Sequence, residues 1–244
     1  MRAFGVNDDI SYEDTKGFFV RRAKKFNECN PYAVTMYQDN NPELVRQRNK
    51  MEIKKLLPLL ELDENSRILD IACGIGRWSD AIKEPIAMYC GIDFCEDFIR
   101  IAEKNSSYAN RYFEVGKSTE IEMCAKYVGH SGYNKVLMMG CCIYLNDGDV
   151  QETFSLISRI ASEQAVVCVR EPIGINARLT LKEHFSSELR DEYNAIYRTR
   201  DELFSLMADS LIKNDFKIKE EGYLFDDVLN NRAETAQYYF VLVR

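Results

Sequence analysis

Arg67 to Trp78 reads R-I-L-D-I-A-C-G-I-G-R-W, an apolar run that ends on Gly74-Ile75-Gly76, and Tyr89 to Cys95 reads Y-C-G-I-D-F-C. A strand that enters two glycines and leaves as a helix makes a turn whose backbone can approach a ligand closely. Glycine takes the required dihedrals and adds no side chain. Asp93 closes the next apolar run, 19 residues beyond Gly74. A carboxylate at that distance can accept both hydroxyls of an adenosine ribose. Read alone, Gly74-x-Gly76 is a tight turn and Asp93 a strand-ending cap; read together they point to a nucleoside-bearing ligand.

The charge around the turn narrows the choice. A dinucleotide site wants a third Gly or Ala where this chain has Ser79, and Asp70 stands at the strand end just before the glycines. A carboxylate there repels a pyrophosphate and stabilises an ammonium or sulfonium. A cation near the glycines with a ribose at Asp93 is the charge layout of S-adenosylmethionine. A nicotinamide dehydrogenase is the weaker alternative.

At these residues the chain resembles the class I S-adenosylmethionine-dependent methyltransferases, over about residues 67 to 244. L-D-I-A-C-G-I-G-R-W is similar to their first motif and G-I-D-F-C to their second. The resemblance implies a Rossmann-like α/β fold and a cofactor that leaves as S-adenosylhomocysteine. It puts Asp70, Ala72, Gly74 and Gly76 around the methionine moiety, Asp93 on the ribose and Phe94 on the adenine. Cys73, Arg77 and Trp78 on the turn, Cys95 after Phe94, and Gly140 go with that set. Ser118 and Thr119 occupy the third motif, which lacks the acid commonly found after its glycine. Tyr144, in M-M-G-C-C-I-Y-L, matches a position beneath the transferred methyl that is often His or Tyr. Tyr37 and Arg48 are expected to close over the cofactor.

Methyl transfer from a sulfonium needs in-line approach, exclusion of water and, for a hydroxyl acceptor, removal of a proton. In an open α/β sheet the acceptor must be held at strand carboxyl ends or by segments folding over them. Two segments qualify: the residues before 67 and an insertion at about 171–200. The insertion carries Arg178, Tyr193, Tyr197 and Arg198, whose guanidinium forks and rings suit an anionic or carbohydrate-like small molecule. His184 is the candidate base by residue type, with Tyr144 second. Arg21-Arg22 and Lys24-Lys25 read as solvated helix charges, and Cys73, Cys141 and Cys142 as packing residues. A broader resemblance, through Tyr193 to Arg198 and a helical N-terminal cap, is to bacterial small-molecule methyltransferases of surface-polysaccharide pathways. It implies O-methylation of a sugar, a nucleotide-sugar, or a phosphorylated or phosphoramidate capsule precursor. N-methylation of an amino sugar or amine, and an inactive cofactor-binding partner subunit, are the competing readings.

The elements that must position these residues follow from periodicity. Glu13 to Leu60 reads as helical with a break at Asn30-Pro31, and Asn41-Pro42 makes a helix start. From residue 67 strands and helices alternate: strands at 67–72, 87–93, 111–115, 135–140 and 165–170, helices at 77–83, 96–104, 120–128 and 149–161. This predicts a mostly parallel sheet covered on both faces. Pro172-Ile173-Gly174 marks a break, a helix is expected within 181–197 and another at 200–213. Strands at 217–225 and 235–243 form an antiparallel ending. The expected domains are a helical cap, 1–66, and the cofactor-binding domain, 67–244.

The composition agrees with this reading. The chain has 244 residues, 46% hydrophobic and 29% charged, and a net charge of −7 that gives no basic footprint for nucleic acid or an anionic membrane. Eight cysteines without a C-x-x-C pair, and two histidines, provide no zinc spacing, so no metal is expected. Cysteines within apolar runs and an N-terminus without a signal-peptide pattern suggest a cytoplasmic protein, monomer or homodimer.

Overall fold

The computed structural model describes every residue except Gln38, Asp227 and Asn231; Gln38, part of the stretch expected to be helical, therefore lies outside the described residues. Ten strands and seven α-helices are described: β1 (Arg2–Phe4), α1 (Tyr12–Ala23), α2 (Ala33–Met36), α3 (Pro42–Leu56), β2 (Arg67–Ile71), α4 (Arg77–Ala81), β3 (Met88–Asp93), α5 (Glu96–Asn105) and β4 (Arg111–Val115), then β5 (Tyr133–Met139), α6 (Asp147–Ile160), β6 (Ala161–Gly174), β7 (Leu179–Ser186), β8 (Asp191–Tyr197), α7 (Arg200–Ala208), β9 (Lys217–Tyr223) and β10 (Thr235–Val243). Seven strands form one sheet in the order β4-β3-β2-β5-β6-β10-β9. The first five lie parallel to their neighbours, and β10 runs antiparallel to both β6 and β9. This is the expected Rossmann-like sheet with its antiparallel ending. Strands β2 and β3 are buried along nearly their whole length, which is why they read as continuous apolar runs. The start of α3 follows the sequence signal, with Asn41 accepting from the Leu44 amide at 3.0 Å and Pro42 in the first turn.

Three expectations are corrected. The stretch 120–128 lies within a 3₁₀ segment, Ser118–Tyr127, rather than an α-helix. Strand β6 runs through Pro172-Ile173 to Gly174, where the chain turns so tightly that a Cβ on Gly174 would lie 2.2 Å from the Ala177 carbonyl oxygen. The segment 181–197 is two antiparallel strands, not a helix; β7 and β8 pair with each other, and β1 adds a third strand. The first 66 residues are accordingly not all helical, since Arg2–Phe4 belongs to this small sheet. Local periodicity misleads here because the pairing is long-range and β7 carries an irregularity. Glu183 takes a positive φ of 47°, and its amide donates to Asn194 at 2.7 Å.

The small sheet is fastened to the large one by two buried arginines. Arg198 donates to the carbonyls of Cys142 (2.6 Å) and Leu145 (2.7 Å) and to Asp147 (2.7 Å). Arg178 donates to both carboxylate oxygens of Asp147, at 3.0 and 3.2 Å. Asp147 is held below the usual carboxylate range: burial opposes its charge, but Arg178 and Arg198 outweigh it. Replacing Asp147 with Ala leaves two desolvated guanidinium groups without their shared anion. Urea denaturation of Asp147→Ala is expected to show a loss of about 3 kcal/mol, and a loss below about 1 kcal/mol would assign the fastening to packing instead.

Candidate active site

Strand β2 delivers Asp70 to the turn, where Ala72, Gly74 and Gly76 all take positive φ (59°, 57° and 81°). A Cβ on Gly74 would come 3.0 Å from the Thr35 methyl, so only glycine lets the cap rest on this turn. Ala72 occupies the same left-handed region with a Cβ, a strain of about 1 kcal/mol. Asp93, at the end of β3, accepts the amides of Gly74 and Cys95, each at 2.9 Å, and so ties the turn to the start of α5.

Two cavities meet at the turn. The larger, about 670 Å³, is walled by Ala72, Gly74, Asp93, Phe94, Val115, Ser118 and Thr119 from the sheet side and by Tyr12, Thr15, Phe19, Thr35 and Tyr37 from the cap. The smaller, about 140 Å³, is walled by Asp70, Cys73, Arg77, Trp78, Arg48, Glu52, Arg170, Tyr193, Tyr197, Arg232 and Gln237. Thr35, Tyr37, Ala72, Gly74, Met139, Gly140 and Tyr144 line both.

Most residues singled out by sequence therefore come together, and the exceptions are informative. Gly76 and Cys95 line neither cavity: a Cβ on Gly76 would meet Ala102 and Phe113, and Cys95 packs with Phe98. His184 also lines neither; it stands opposite Tyr193 in the small sheet, with its ring 6.1 Å from that tyrosine's. Its basicity is lowered by burial and by Arg2, the N-terminal amine and Arg232. Arg178 and Arg198 are spent on Asp147 and the Cys142–Leu145 carbonyls rather than aimed at an acceptor. Arg22, read as a solvated charge, has no exposed surface.

Other residues escaped the sequence reading. Glu171 is buried and accepts the amides of Cys141, Cys142 and Ile143 at 2.7, 2.9 and 3.3 Å, fixing the turn that presents Tyr144. Glu52 on α3 accepts Arg77 at 2.8 Å and Arg170 at 3.1 Å; burial opposes its charge, but the two guanidinium groups hold it ionised, below the usual range. Arg170-Glu171, a charged pair directly after Val-Val-Cys-Val, was the available signal at a strand's carboxyl end. Arg232 and Gln237 had none.

Burial pushes the phenols of Tyr37 and Tyr144 well above their ordinary range. The thiol of Cys141 is likewise raised by burial and by Glu171, which agrees with a packing role. Among the described residues no group of three His, Cys, Asp or Glu is placed to hold a metal, and no helix is long and apolar enough to cross a membrane.

The residues fit S-adenosylmethionine better than a dinucleotide. Asp70 faces the turn, and α4 has only five residues, too short to offer a pyrophosphate a strong positive end. A cavity of about 670 Å³ lies in the range of a drug-sized ligand. Burial lifts the Asp70 carboxyl to about 7, against the Tyr89 hydroxyl and Arg77, and lifts Asp93 to about 6, against the Cys95 and Gly74 amides. Both groups bind protons more tightly in the folded chain than in the unfolded one, so their contribution to stability is present at low pH and is lost as pH rises through about 6 to 7. A cationic ligand favours the ionised forms. Calorimetry is expected to show S-adenosylmethionine binding that tightens and releases protons as pH rises from 5.5 to 8, with the upper part of the change absent in Asp70→Asn. Chemical denaturation of Ala72→Gly should show a gain of up to about 1 kcal/mol from relief of the left-handed alanine.

Comparison with known proteins agrees with this geometry. Residues 68–164 match a family model described as a methyltransferase domain. Phosphoethanolamine N-methyltransferase 1 of Caenorhabditis elegans is 26% identical over 142 residues, which is 58% of this chain and 28% of that protein. The chain thus matches little more than a quarter of that relative's length. The structure of phosphoethanolamine N-methyltransferase 1 of Haemonchus contortus, in complex with phosphoethanolamine and S-adenosylhomocysteine, is similar with a TM-score of 0.66 at 17% identity, covering 96% of this chain and 50% of that one. Magnesium protoporphyrin IX methyltransferase of Synechocystis PCC 6803 with bound S-adenosylmethionine gives a TM-score of 0.61 at 16% identity, covering 96% and 93%. The chain has the fold of the class I S-adenosylmethionine-dependent methyltransferases and carries a methyltransferase domain over residues 68–164.

Proposed function

We propose that the chain is a small-molecule methyltransferase that binds S-adenosylmethionine in the larger cavity and an anionic acceptor in the smaller. The observation that carries this reading is the shared wall, where the acid-lined site and the arginine-lined site open onto the same residues, Tyr37, Gly140 and Tyr144 among them. When bound, the cofactor supplies a methyl group on a sulfonium, already activated for attack. Asp93 takes the ribose hydroxyls, Phe94 and Val115 flank the base, and Asp70, which lines the smaller cavity, offsets the cationic end from across the shared wall. Arg48, Arg170, Arg232 and Gln237 hold the anionic group of the acceptor, with Tyr193 and Tyr197 against its body. The Trp78 indole N–H is buried on this cavity without a partner, and an acceptor oxygen supplies one.

The nucleophile is an amine in this proposal, in preference to the sugar hydroxyl favoured by sequence. A hydroxyl needs a base, His184 lies outside both cavities, and the shared wall offers only phenols held neutral. An amine need only arrive unprotonated, after which positioning suffices. A phosphorylated amino sugar satisfies both the amine and the carbohydrate readings, and two of the three relatives named above are named for a phosphorylated amine.

The test is a mass-spectrometric assay with S-adenosylmethionine and three probes: phosphoethanolamine, glucosamine 6-phosphate and glucose 6-phosphate. Methylation of an amine-bearing probe is expected. A product from glucose 6-phosphate alone restores the hydroxyl reading, and cofactor binding without product from any probe favours the inactive partner subunit. Arg170→Gln should raise the acceptor KM about tenfold while cofactor affinity changes less than about threefold.

A further inference from the structure

Arg22 lies on α1 with no exposed surface, yet it lines neither cavity. Its guanidinium grips a short segment at several points. Nε donates to the Val34 carbonyl at 3.2 Å and Nη2 to the Ala33 carbonyl at 2.6 Å. Nη1 and Nη2 donate to the two carboxylate oxygens of Asp39, each at 2.6 Å. Its central carbon lies 5.3 Å from the centre of the Tyr37 ring. Between these anchors sit Thr35, which rests on the Gly74 turn, and Tyr37, which takes a strained φ of 54° and lines both cavities.

A desolvated guanidinium costs several kcal/mol unless it is paired, and a helix with no use for one would turn it to water. Here the charge is spent on the backbone of residues 33–34 and on Asp39, not on the hydrophobic core. The helix and the residues just after it reach toward the other cavity as well: Arg21 forks onto Asp191 at the start of β8, and Lys25, two residues past the helix end, donates at 2.7 Å to the carbonyl of Leu189, which lines the smaller cavity.

We propose that Arg22 and Asp39 are positioning residues. Their fork holds Thr35 and Tyr37 against the glycine turn and so builds the wall common to the two cavities. The inference rests on reading the larger cavity as the cofactor site. It assigns to the α1 charges a role that their sequence pattern, two adjacent cations on a helix, does not suggest.

The experiment is calorimetric titration of the full chain with S-adenosylhomocysteine, in the wild type and in Asp39→Asn, Asp39→Glu, Tyr37→Ala and Asp39→Asn/Tyr37→Ala. Asp39→Asn is expected to weaken binding about tenfold and to lower the melting temperature, because the buried Arg22 charge loses its anion, and Asp39→Glu to stay within about threefold of wild-type affinity. The double variant should lose less than the product of the single losses, because both act through one element. Unchanged affinity in Asp39→Asn, or losses that multiply, overturns the proposal. Should Asp39→Asn fail to fold, amide exchange in the wild type decides: exchange at Thr35 to Tyr37 must slow when S-adenosylhomocysteine binds, and unchanged exchange overturns the proposal. A wild type that binds no S-adenosylhomocysteine removes the cofactor reading itself, a result no clamp variant can imitate.

Discussion

Glu52 is almost wholly buried, and it is tolerable there only because two guanidinium groups converge on it. Its partners come from different parts of the chain. Arg77 opens the helix that follows the glycine turn, and Arg170 lies on β6 and lines the smaller cavity. Glu52 itself belongs to α3, ahead of the sheet. One carboxylate therefore fixes the relative placement of the cap, the cofactor turn and the floor of the smaller cavity. Such a group contributes little net stability, because its desolvation offsets much of the attraction. Its contribution is geometric, since any displacement of one element leaves a buried charge unpaired. The same logic recurs at half-buried Asp147 and buried Glu171, acids that collect long-range partners beside the residues of the shared wall.

The two cavities differ in how they treat charge. The larger is lined by aromatic rings, backbone and four acidic residues, Glu13, Asp93, Glu120 and Asp149, against two lysines, Lys16 and Lys117. The smaller carries four arginines that Glu52 and Asp70 only partly offset. Fields of opposite sign on adjacent sites favour a cation in the larger and an anion in the smaller. The net negative charge of the chain conceals this arrangement.

What could be read in the sequence was the part held by local pattern. Strands β2 and β3 are buried on both faces and bounded by turn residues, so their apolar runs stand out, and the Gly74, Gly76 and Asp93 spacing follows from strand-turn-helix geometry. The insertion was misread because β7 and β8 owe their conformation to pairing with β1 and to a bulge at Glu183, neither of which leaves a local period. The acceptor side was half legible. Tyr193 and Tyr197, singled out by residue type, line the smaller cavity, whereas Arg178 and Arg198, singled out the same way, serve the architecture. Arg22 shows the same limit from the other direction, since a cation beside another cation on an amphipathic helix gives no sign of burial.

The pairing of Arg2–Phe4 with Leu179–Leu181 joins segments nearly three-quarters of the chain apart. A strand that waits so long for its partner bears on the order of folding rather than on the final energy. The parallel core from β2 to β5 can assemble while one wall of the smaller cavity is still missing, because β7 and β8 have yet to be synthesised. Until they arrive, the apolar residues of α1 and the edge of β1 are uncovered and available for pairing with other chains. The protein must therefore pass, each time it is made, through a stage in which its cofactor turn exists but its enclosure does not. Chaperone demand and misassembly should concentrate at that stage.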